Sequence, residues 1–417
     1  MNILLIFLIT LCCVSADKWA VLVAGSYGYW NYRHQADICH AYQILHENGF
    51  PDSNIIVMMY DDIAYNSGNP FHGVIINKPN GNNMYVNVPK DYTGDDVTPE
   101  NFLSILRGDS SIGKKVLKTG PDDNIFIFFA DHGGPGIICF PRDELYAHEL
   151  IETLQYMHMN NRYKNIIFYL ESCDSGSMFN HLLPPNINVF AMTASYPDEV
   201  SWACYYDALF DTYLGDVFSV NWMENVDSFE SIIKETFNDQ YLIVENKTTS
   251  NHVCIYGDKS ILKYNLSDFL TYQSNTWADE NMITNHPRNT YYFEKQTDQI
   301  DQIDQIDSRY VKLKYLAKFS QNYTKIKNGT FIYNELKKEI YHAYVLSVYY
   351  NNEIISAYQK KILRNLKNQK CNSDEIIDTK CLQKEVNRFK HLYGDLTEIA
   401  IYFLRIIGNK CINADLI

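Results

Sequence analysis

Short apolar runs alternate with stretches of helical pattern over residues 18–195, and this rhythm constrains the fold more than any other feature of the chain. Each run is six or seven residues long and most lack polar alternation, which is typical of strands buried on both faces of a parallel sheet. The helical stretches fit crossover connections, so the sequence predicts an α/β layered domain with a mainly parallel central sheet. The predicted strands span residues 19–24, 54–60, 124–130, 165–170 and 188–193, and the predicted helices span residues 33–48, 100–106 and 144–159.

The sequence changes character after this domain. Residues 298–306 repeat Asp-Gln-Ile three times, a period that fits neither helix nor strand, and they predict a solvated tether within a linker of residues 275–309. From residue 310 onward Lys, Leu, Ile, Tyr and Asn are frequent, and no proline follows Pro287, which predicts a C-terminal all-α domain of residues 310–417. Its predicted helices span residues 333–349, 353–367, 381–392 and 396–407.

Charge is divided unevenly along the chain. Residues 308–417 hold 19 Lys and Arg against 10 Asp and Glu, a formal charge of +9; because the whole chain carries −14, residues 1–307 carry −23. Two parts of such opposite charge attract each other, and the attraction weakens as carboxylates take up protons in acid. Two unrelated solvated surfaces are the alternative interpretation. The net negative charge argues against a nucleic-acid partner, because a general nucleic-acid binder needs a basic face.

The amino terminus has the pattern of a secretory signal peptide. An apolar run over residues 3–14 ends in the small residues Ser15 and Ala16, which predicts a signal peptide of residues 1–16 ahead of a first domain of residues 17–274. A buried first strand is the alternative. Twelve apolar residues are too few to span a membrane, and no other run reaches eighteen, so we expect no membrane anchor. Four glycosylation sequons support a secretory route, at Asn246, Asn265, Asn322 and Asn328.

The cysteines fall into two groups once the signal peptide is set aside. Five are widely spaced within mostly apolar strings, which predicts buried free thiols. The other three, Cys371, Cys381 and Cys411, lie in the basic C-terminal part, where one disulfide is plausible and the third cysteine is unpaired or bonds elsewhere. No CxxC pair occurs, so a zinc ribbon is not expected, and we predict neither a metal nor a cofactor.

Two predicted strands end in residues suited to nucleophilic catalysis. His132, followed by two glycines, comes just after the strand 124–130, and Cys173 comes just after the strand 165–170. In open α/β sheets the active crevice lies outside the carboxyl ends of the strands, so neighbouring strands would bring both residues to one edge. A histidine beside a cysteine favours the thiolate and can protonate a leaving amine. The pair predicts a Cys–His hydrolase; a structural histidine and a buried thiol are the alternatives.

A third polar cluster follows the first predicted strand. Gly25 and Gly28 match neither a dinucleotide fingerprint nor a phosphate loop. Asn31 could orient a catalytic imidazole, as amides do in some Cys–His enzymes. Arg33 could pair with carboxylates or bind a substrate carbonyl, while the alternative is that Arg33 and His34 lie on a helix surface.

These motifs together resemble the legumain family, the asparaginyl endopeptidases of the caspase-like clan of cysteine peptidases. The resemblance runs from about Lys18 to Gly257 and continues more loosely to the C-terminus. It implies a caspase-like α/β domain, cleavage after asparagine, and after aspartate in acid, and residence in a lysosome or vacuole, or secretion. The strings that carry it are GSYGYWNYRHQADICHAYQ, VMMYDDIAY, VPKDYTGDDVTPENFL, ADHGGPG, YLESCDSGSMFNHL and ACYYDALFDTYLGDVFSVNWME.

The resemblance also implies residue roles. Cys173 would be the nucleophile, His132 the general base and acid, and Asn31 the support of His132. Backbone N–H groups of Gly133 and Cys173 would stabilise the oxyanion, and Asp131 would be able to form a succinimide. Ser172 stands where the family usually has alanine. The pocket for the asparagine side chain would be formed by Arg33, His34, Glu171, Ser201 and Asp216.

Such a pocket suits a carboxamide, which offers one acceptor oxygen and two N–H donors. Arg33 can donate to the oxygen, while Glu171 and Asp216 can accept from the nitrogen. Aspartate resembles asparagine only when it is protonated. Because an apolar side chain would leave the charges of the pocket unpaired, discrimination against apolar residues should be large.

Members of this family are made as zymogens, which implies that the C-terminal helical prodomain inhibits the site until acid releases it and the chain cuts itself. The family pattern further implies a Cys381–Cys411 disulfide, with Cys371 left without a disulfide partner. Other implied partners are protein and peptide substrates with accessible asparagines, and cystatin-type inhibitors; peptide ligation is an implied side reaction. Candidate cleavage sites are Asn285, Asn289, Asn322 and Asn328. Two alternatives remain, a transamidase of the same clan and an inactive binding homologue.

Overall fold

The computed structural model describes residues 16–272, 304–321, 338, 377–402, 404 and 411. The predicted signal peptide apart from Ala16, the candidate cleavage sites and Cys371 therefore lie outside the described residues. The same holds for the predicted helix 353–367 and, apart from Lys338, for the predicted helix 333–349. No helix in the described part of the chain is long and apolar enough to cross a membrane.

A six-stranded sheet forms the centre of the molecule. Its strand order is β11-β8-β7-β3-β1-β2, and every neighbouring pair is parallel except β11 with β8. The predicted α/β class with a mainly parallel sheet is therefore confirmed. The strands are β1 (Lys18–Ala24), β2 (Ile55–Met58), β3 (Asn124–Ala130), β7 (Asn165–Glu171), β8 (Val189–Thr193) and β11 (Cys254–Gly257).

Both faces of this sheet are buried, which is why its strands read as continuous apolar runs. Alternate residues of each strand point to opposite faces, so Leu22 and Phe128 join one apolar cluster while Val23 and Phe129 join the other. Helices α1 (Tyr32–Glu47) and α4 (Val217–Val226) contribute to the first cluster, and α2 (Pro99–Arg107) and α3 (Ala147–Met159) to the second. The domain thus has three layers.

The five predicted strands and three predicted helices all occur, with ends that differ by up to three residues. The largest difference is at residues 144–146, predicted as the start of a helix. They form strand β6 (Glu144–Tyr146) because they pair with β5 (Ile137–Cys139), which in turn pairs with β4 (Gly133–Gly134). Helix α3 begins only at Ala147, where Glu149 accepts a hydrogen bond from the backbone N–H of Tyr146 (3.1 Å).

Several elements beyond residue 200 were not predicted. They comprise a second sheet, of order β10-β9-β12, and the helices that follow α4 in the chain. This sheet matters for the site because its strand β12 comes from beyond residue 303. The elements are β9 (Trp202–Asp207), β10 (Thr212–Asp216), α5 (Phe229–Lys234), α6 (Phe237–Lys247), α7 (Ser267–Leu270) and β12 (Ile306–Asp307).

The predicted solvated tether differs from the structure at its end, because Ile306 and Asp307 pair antiparallel with Ala203 and Trp202 of β9. Among the residues that the structure describes beyond this point, three helices follow, α8 (Val311–Gln321), α9 (Thr379–Tyr393) and α10 (Glu398–Tyr402). Of these, α9 and α10 match the predicted helices 381–392 and 396–407 in position, whereas α8 was not predicted.

The C-terminal helices lie against the hairpin that follows β3. Leu382, Phe389 and Ile401 pack with Ile137 and other apolar residues of the hairpin in one cluster. A disulfide joins Cys381 to Cys411 across a sequence separation of 30 residues. The five free cysteines of the described residues are buried, as predicted from their apolar surroundings.

Candidate active site

Cys173 and His132 are brought together by the pairing of β3 with β7. The two strands are parallel and in register at their ends, where Ala130 lies opposite Glu171, so the chain leaves both strands at the same edge of the sheet. Immediately beyond, a side chain at Gly133 could not fit, since its Cβ would lie 2.5 Å from the carbonyl oxygen of Cys173. Glycine at this position therefore lets the two segments approach each other.

The imidazole of His132 is held by an amide from another element. Asn31 ends a short 3-10 turn just before α1, and its Oδ1 lies 2.9 Å from His132 Nε2. Because Asn31 Nδ2 donates to the carbonyl of Tyr27 (3.1 Å), Oδ1 is the accepting atom and His132 Nε2 carries the proton. The proton-accepting nitrogen of His132 is then Nδ1. The ring of His34 stands edge-on to His132, with centroids 5.0 Å apart.

The thiol of Cys173 is buried and neutral in this state. Its sulfur accepts a hydrogen bond from the backbone N–H of Ser201 (3.3 Å) and lies 3.7 Å from the Ser201 hydroxyl. Burial raises the pKa of Cys173 to about 12, Asp307 adds to the rise, and Arg309 opposes it. Since thiolate is the reactive form, the described arrangement holds the nucleophile in its unreactive form.

Beside the thiol is a buried pocket lined by charged groups. Arg33 Nε donates to Asp216 Oδ1 (2.8 Å), and both side chains are almost fully buried, so the alternative that Arg33 lies on a helix surface is wrong. Glu171 Oε2 accepts from the backbone N–H (3.1 Å) and hydroxyl (2.9 Å) of Ser219. The second oxygens, Glu171 Oε1 and Asp216 Oδ2, have no hydrogen-bond partner among the described residues. Two buried acceptors of this kind suit an N–H₂ group.

The carboxylates of this pocket influence one another. Burial and the nearby charge of Asp216 raise the pKa of Glu171 well above its ordinary value. Asp37 behaves in the same way and is bound by Asn77 Nδ2 (2.7 Å). Burial, followed by the charges of Arg33 and His132, lowers the pKa of His34, so its ring is neutral.

Sequence reasoning missed Asp37 and Ser219 as parts of the pocket. Asp37 could have been found, because it lies four residues after Arg33 on α1 and so shares its face of the helix. No local pattern pointed to Ser219, since its place beside Glu171 depends on how α4 packs against the sheet.

A segment from the predicted linker enters the pocket. The backbone N–H of Ser308 donates to the carbonyl of Ser201 (3.1 Å), which extends the pairing of β12 with β9 by one residue. The Ser308 hydroxyl donates to Asp216 Oδ1 (3.5 Å) and accepts from the Ser201 hydroxyl (3.4 Å). Ser308 therefore lies where the side chain of a bound peptide would contact Ser201 and Asp216.

A carboxylate from α10 reaches the other side of the site. Glu398 Oε1 accepts from Trp30 Nε1 and from Asn31 Nδ2, each at 3.0 Å, and Oε2 lies 3.4 Å from His132 Nε2. Lys312 of α8 lies 3.6 Å from the same carboxylate. Burial alone would raise the pKa of Glu398, but the charge of Lys312 and hydrogen bonds from His132 and Trp30 hold it well below its usual range.

Three possible metal ligands also lie close together. Ligand-type atoms of His34, Asp131 and His132 are within 4.8 Å of one another. Both histidines already have protein partners, since His132 Nε2 faces Asn31 and His34 Nδ1 lies 2.7 Å from the Ser26 hydroxyl. Burial raises the pKa of Asp131 well above its ordinary value, which favours the neutral acid over a metal-binding carboxylate. The absence of a metal stays a prediction.

Of the predicted glycosylation sites, Asn246 on α6 and Asn265 before α7 are solvent-exposed. The other two, Asn322 and Asn328, lie outside the described residues.

Comparisons with known proteins give one family. Residues 18–280 match the model of the peptidase C13 family. Legumain from Homo sapiens is 55% identical over 256 residues, which cover 60% of this chain and 59% of that protein. A vacuolar-processing enzyme from Citrus sinensis is 38% identical over 94% of this chain and 81% of its own length. Among solved structures, a caspase-1 from Spodoptera frugiperda aligns with a TM-score of 0.39 and 11% identity, covering 62% of this chain and 93% of that one.

Proposed function

Because the chain belongs to the peptidase C13 family, we propose that it is a cysteine endopeptidase that hydrolyses peptide bonds after asparagine. The observation that carries the proposal is the pocket of Arg33, Glu171 and Asp216 beside the ends of β3 and β7, where Cys173 and His132 meet. The matched part of the chain spans 59% of the length of Homo sapiens legumain, so the activity is inferred from the site together with the family.

The reaction follows from the roles of these groups. His132 Nδ1 accepts the thiol proton, and the Cys173 thiolate attacks the carbonyl carbon of the asparagine residue. N–H groups of Gly133 and Cys173 stabilise the oxyanion that forms. The oxyanion collapses, the peptide C–N bond breaks, and His132 gives its proton to the leaving amine. Water then attacks the thioester while His132 accepts its proton, which releases the acid and the thiol. When an amine attacks in place of water, the product is a new peptide bond.

Specificity for asparagine rests on the hydrogen-bonding capacity of the pocket. The guanidinium of Arg33 donates to the amide oxygen, and the partnerless oxygens of Glu171 and Asp216 accept from the amide nitrogen. Ser201 and His34 complete the wall beside Asp216. A site that buries such groups rejects ligands that leave them unpaired.

The C-terminal part acts as an inhibitor in this proposal. Ser308 fills the position of the substrate side chain, and Glu398 contacts both Asn31 and His132. Cys173, 1% exposed, is then covered and uncharged. Acid weakens the attraction between the basic C-terminal part and the acidic catalytic part, so self-cleavage after an asparagine outside the described residues would release the site.

Further roles are proposed on the same basis. Asp131 is a candidate for a succinimide, because its neutral acid form is favoured and the N–H of His132 bonds to its carboxyl group. We assign the protein to a lysosome- or vacuole-type compartment, with Asn246, Asn265, Asn322 and Asn328 as glycosylation candidates. Protein substrates with accessible asparagines and cystatin-type inhibitors are the expected partners.

The test uses the purified precursor, held at about pH 4.5 and then assayed with peptides that differ only in the residue before the cleaved bond. We expect the chain to shorten and to cleave after asparagine, while Cys173→Ala does neither. Cleavage by Cys173→Ala, or equal cleavage after any residue, contradicts the proposal. If neither processing nor cleavage occurs at any pH, the protein is an inactive binding homologue.

A further inference from the structure

On the face of the second sheet that α8 covers, two tyrosine rings and a carboxylate surround an ammonium group. Lys314 Nζ lies 4.7 Å from the ring centre of Tyr206 and 5.0 Å from that of Tyr213. It also donates a hydrogen bond to the hydroxyl of Tyr213 (2.7 Å). Ammonium groups bind favourably over the faces of such rings.

The two rings belong to the catalytic part, and the cations belong to α8. Tyr206 of β9 and Tyr213 of β10 are direct cross-strand partners, with ring centres 5.2 Å apart. Asp211, in the turn between these strands, accepts from the Tyr206 hydroxyl (2.5 Å) and from Lys318 of α8 (2.5 Å). We call Tyr206, Tyr213 and Asp211 the tyrosine cage. Removal of α8 leaves the cage in place without its lysines.

The segment before α8 shows which part of a bound peptide would reach the tyrosine cage. Its β12 pairs antiparallel with β9, and Ser308 lies in the pocket proposed for asparagine. Four residues earlier, the carboxylate of Asp304 lies 4.0 Å from Lys314 Nζ. The next side chain, Gln305, instead bonds to the hydroxyl of Ser250. Ile306, two residues before Ser308, packs in the same apolar cluster as Tyr206 and Tyr213. A peptide that follows the same path therefore places the side chain two residues before its asparagine against the rings, and the side chain four residues before it at the position of the Lys314 ammonium.

We propose that the tyrosine cage is a substrate subsite for a Lys or Arg side chain located four residues before the cleaved asparagine. The inference rests on the proposed function, since the site must first be vacated by residues 304–321. In the closed structure Lys314 and Lys318 of α8 occupy the tyrosine cage, in the position proposed for the substrate cation.

Residues 1–307 carry a formal charge of −23 and would attract any basic peptide. The test must therefore distinguish this long-range attraction from binding of a cation in the tyrosine cage. Position within the peptide makes the distinction. A lysine three residues before the asparagine gives the same net charge but takes the place of Gln305, whose side chain faces Ser250.

The test measures kcat/KM of the acid-processed full chain on three peptides that differ only at the third and fourth residues before the asparagine. They carry lysine four residues before the asparagine, the uncharged isostere norleucine at that position, or lysine three residues before it. We expect the first peptide to exceed the second about threefold, as a half-exposed cation beside aromatic rings predicts, and the third to match the second closely.

Tyr206→Leu and Asp211→Asn should each reduce this ratio of lysine to norleucine, and two separate variants keep the test valid if one of them fails to fold. Equal rates for all three peptides, or an equal gain at both lysine positions, overturn the inference but leave the asparaginyl peptidase intact. If the norleucine peptide is not cleaved either, the proposed function fails and the inference falls with it.

Discussion

Asp216 connects the pocket that would read a substrate with the segment that fills this pocket in the structure. Its Oδ1 accepts from Arg33 Nε at 2.8 Å and from the Ser308 hydroxyl at 3.5 Å, while its Oδ2 has no hydrogen-bond partner among the described residues. A serine hydroxyl therefore satisfies this acceptor set only in part. A carboxamide, with two N–H donors, would satisfy more of it.

Cleavage after aspartate should depend steeply on pH. The pocket accepts N–H or O–H donors at Glu171 and Asp216, so an aspartate side chain fits when it is protonated and is repelled when it is ionised. Above the ordinary aspartate pKa of about 3.9, the ratio of aspartate to asparagine cleavage should fall about tenfold per pH unit. The measurement is kcat/KM for a matched pair of peptides from about pH 4 to pH 7.

The asparagine peptide serves as the internal control for any effect of pH on Cys173 and His132. An aspartate-to-asparagine ratio that stays constant across this range would show that the pocket does not require the protonated acid.

Ser308→Asn should convert the inserted segment into a substrate. Ser308 already occupies the pocket and follows a strand that pairs antiparallel with β9, as extended peptides do when they add to a sheet edge. An amide at this position supplies the donors that the hydroxyl lacks, so the precursor should be cut between residues 308 and 309.

Mass spectrometry of the acid-treated chain detects the new end. Ser308→Ala, which adds no amide, should give no such fragment, and a Ser308→Asn precursor that stays uncut at this bond refutes the idea.

At the scale of elements, the central strands could be predicted because each is buried on both faces and carries its signal within six or seven residues. The second sheet could not be predicted from the sequence. Its strand β12 is two residues long and pairs with β9 across about a hundred residues of sequence, so only tertiary contact defines it. Residues 144–146 show the same effect, since pairing with β5 overrides a helical pattern.

The candidate site divides in the same way. Cys173 and His132 were placed correctly at one sheet edge because the ends of neighbouring parallel strands coincide. The approach of Glu398 to Asn31 could not be inferred, because 367 residues separate them and neither sequence neighbourhood indicates the other.

Glu398 should hold helix α10 against the active site except at strongly acidic pH. The carboxylate is faced by Lys312, His132, Trp30 and Asn31, and the charge of Lys312, together with hydrogen bonds from His132 and Trp30, holds its pKa below the usual range. The stability it adds to the closed state is present above its ordinary pKa of about 4.3 and is lost as pH falls through the lowered value. Glu398→Gln removes this charge at every pH, so its precursor should process several-fold faster near pH 6.

The rate of shortening on gels from about pH 4 to pH 7 measures this effect. Glu385→Gln on α9 is a matched change of carboxylate to amide among the C-terminal helices, and it should follow the unchanged chain. If Glu398→Gln and Glu385→Gln give the same pH profile as the unchanged protein, Glu398 does not hold the closed state.

At the scale of the whole molecule, oppositely charged side chains of the two parts meet within the described residues. Lys318 pairs with Asp211 (2.5 Å), Lys380 with Glu152 (3.0 Å) and Lys390 with Asp143 (2.8 Å). In each pair the lysine belongs to a C-terminal helix and the acid to the catalytic part. The sequence left open whether the two oppositely charged parts attract each other or are unrelated surfaces. These ion pairs show that the two parts are in contact.

One contact opposes release in acid. Glu144 is buried against Lys390 (2.6 Å), and burial raises its pKa to about 7. Because this pKa is raised, the contribution of Glu144 to the closed state is present at low pH and is lost as pH rises through about 7. Because the lowered pKa keeps Glu398 charged in the closed state above about pH 4.3, release in mild acid depends on the other carboxylates that face the C-terminal helices, and Glu144 opposes it.

Salt should speed activation at a fixed acidic pH. The pairs of Lys318 and Lys380 are solvent-exposed; each is worth at most about 1 kcal/mol and is screened as the Debye length shrinks from about 10 Å at 0.1 M to about 3 Å at 1 M. Raising sodium chloride across that range should accelerate processing of the precursor several-fold. Cleavage of an uncharged peptide by the processed enzyme, measured at both concentrations, corrects for any effect on catalysis. Slower or unchanged processing in salt contradicts the electrostatic closure.

Ser308 and Glu398 reach the site from opposite sides of the candidate cleavage sites Asn322 and Asn328. A cut there leaves Ser308 covalently joined to the catalytic part, whereas Glu398 stays with a separate fragment that only contacts hold. Ser308 then returns to its pocket at a local concentration set by its tether, and the fragment returns at its concentration in solution. Dilution of the protein cut at this point would therefore remove Glu398 from His132 but leave Ser308 in the pocket. The pocket opens only after a second cut ahead of Ser308.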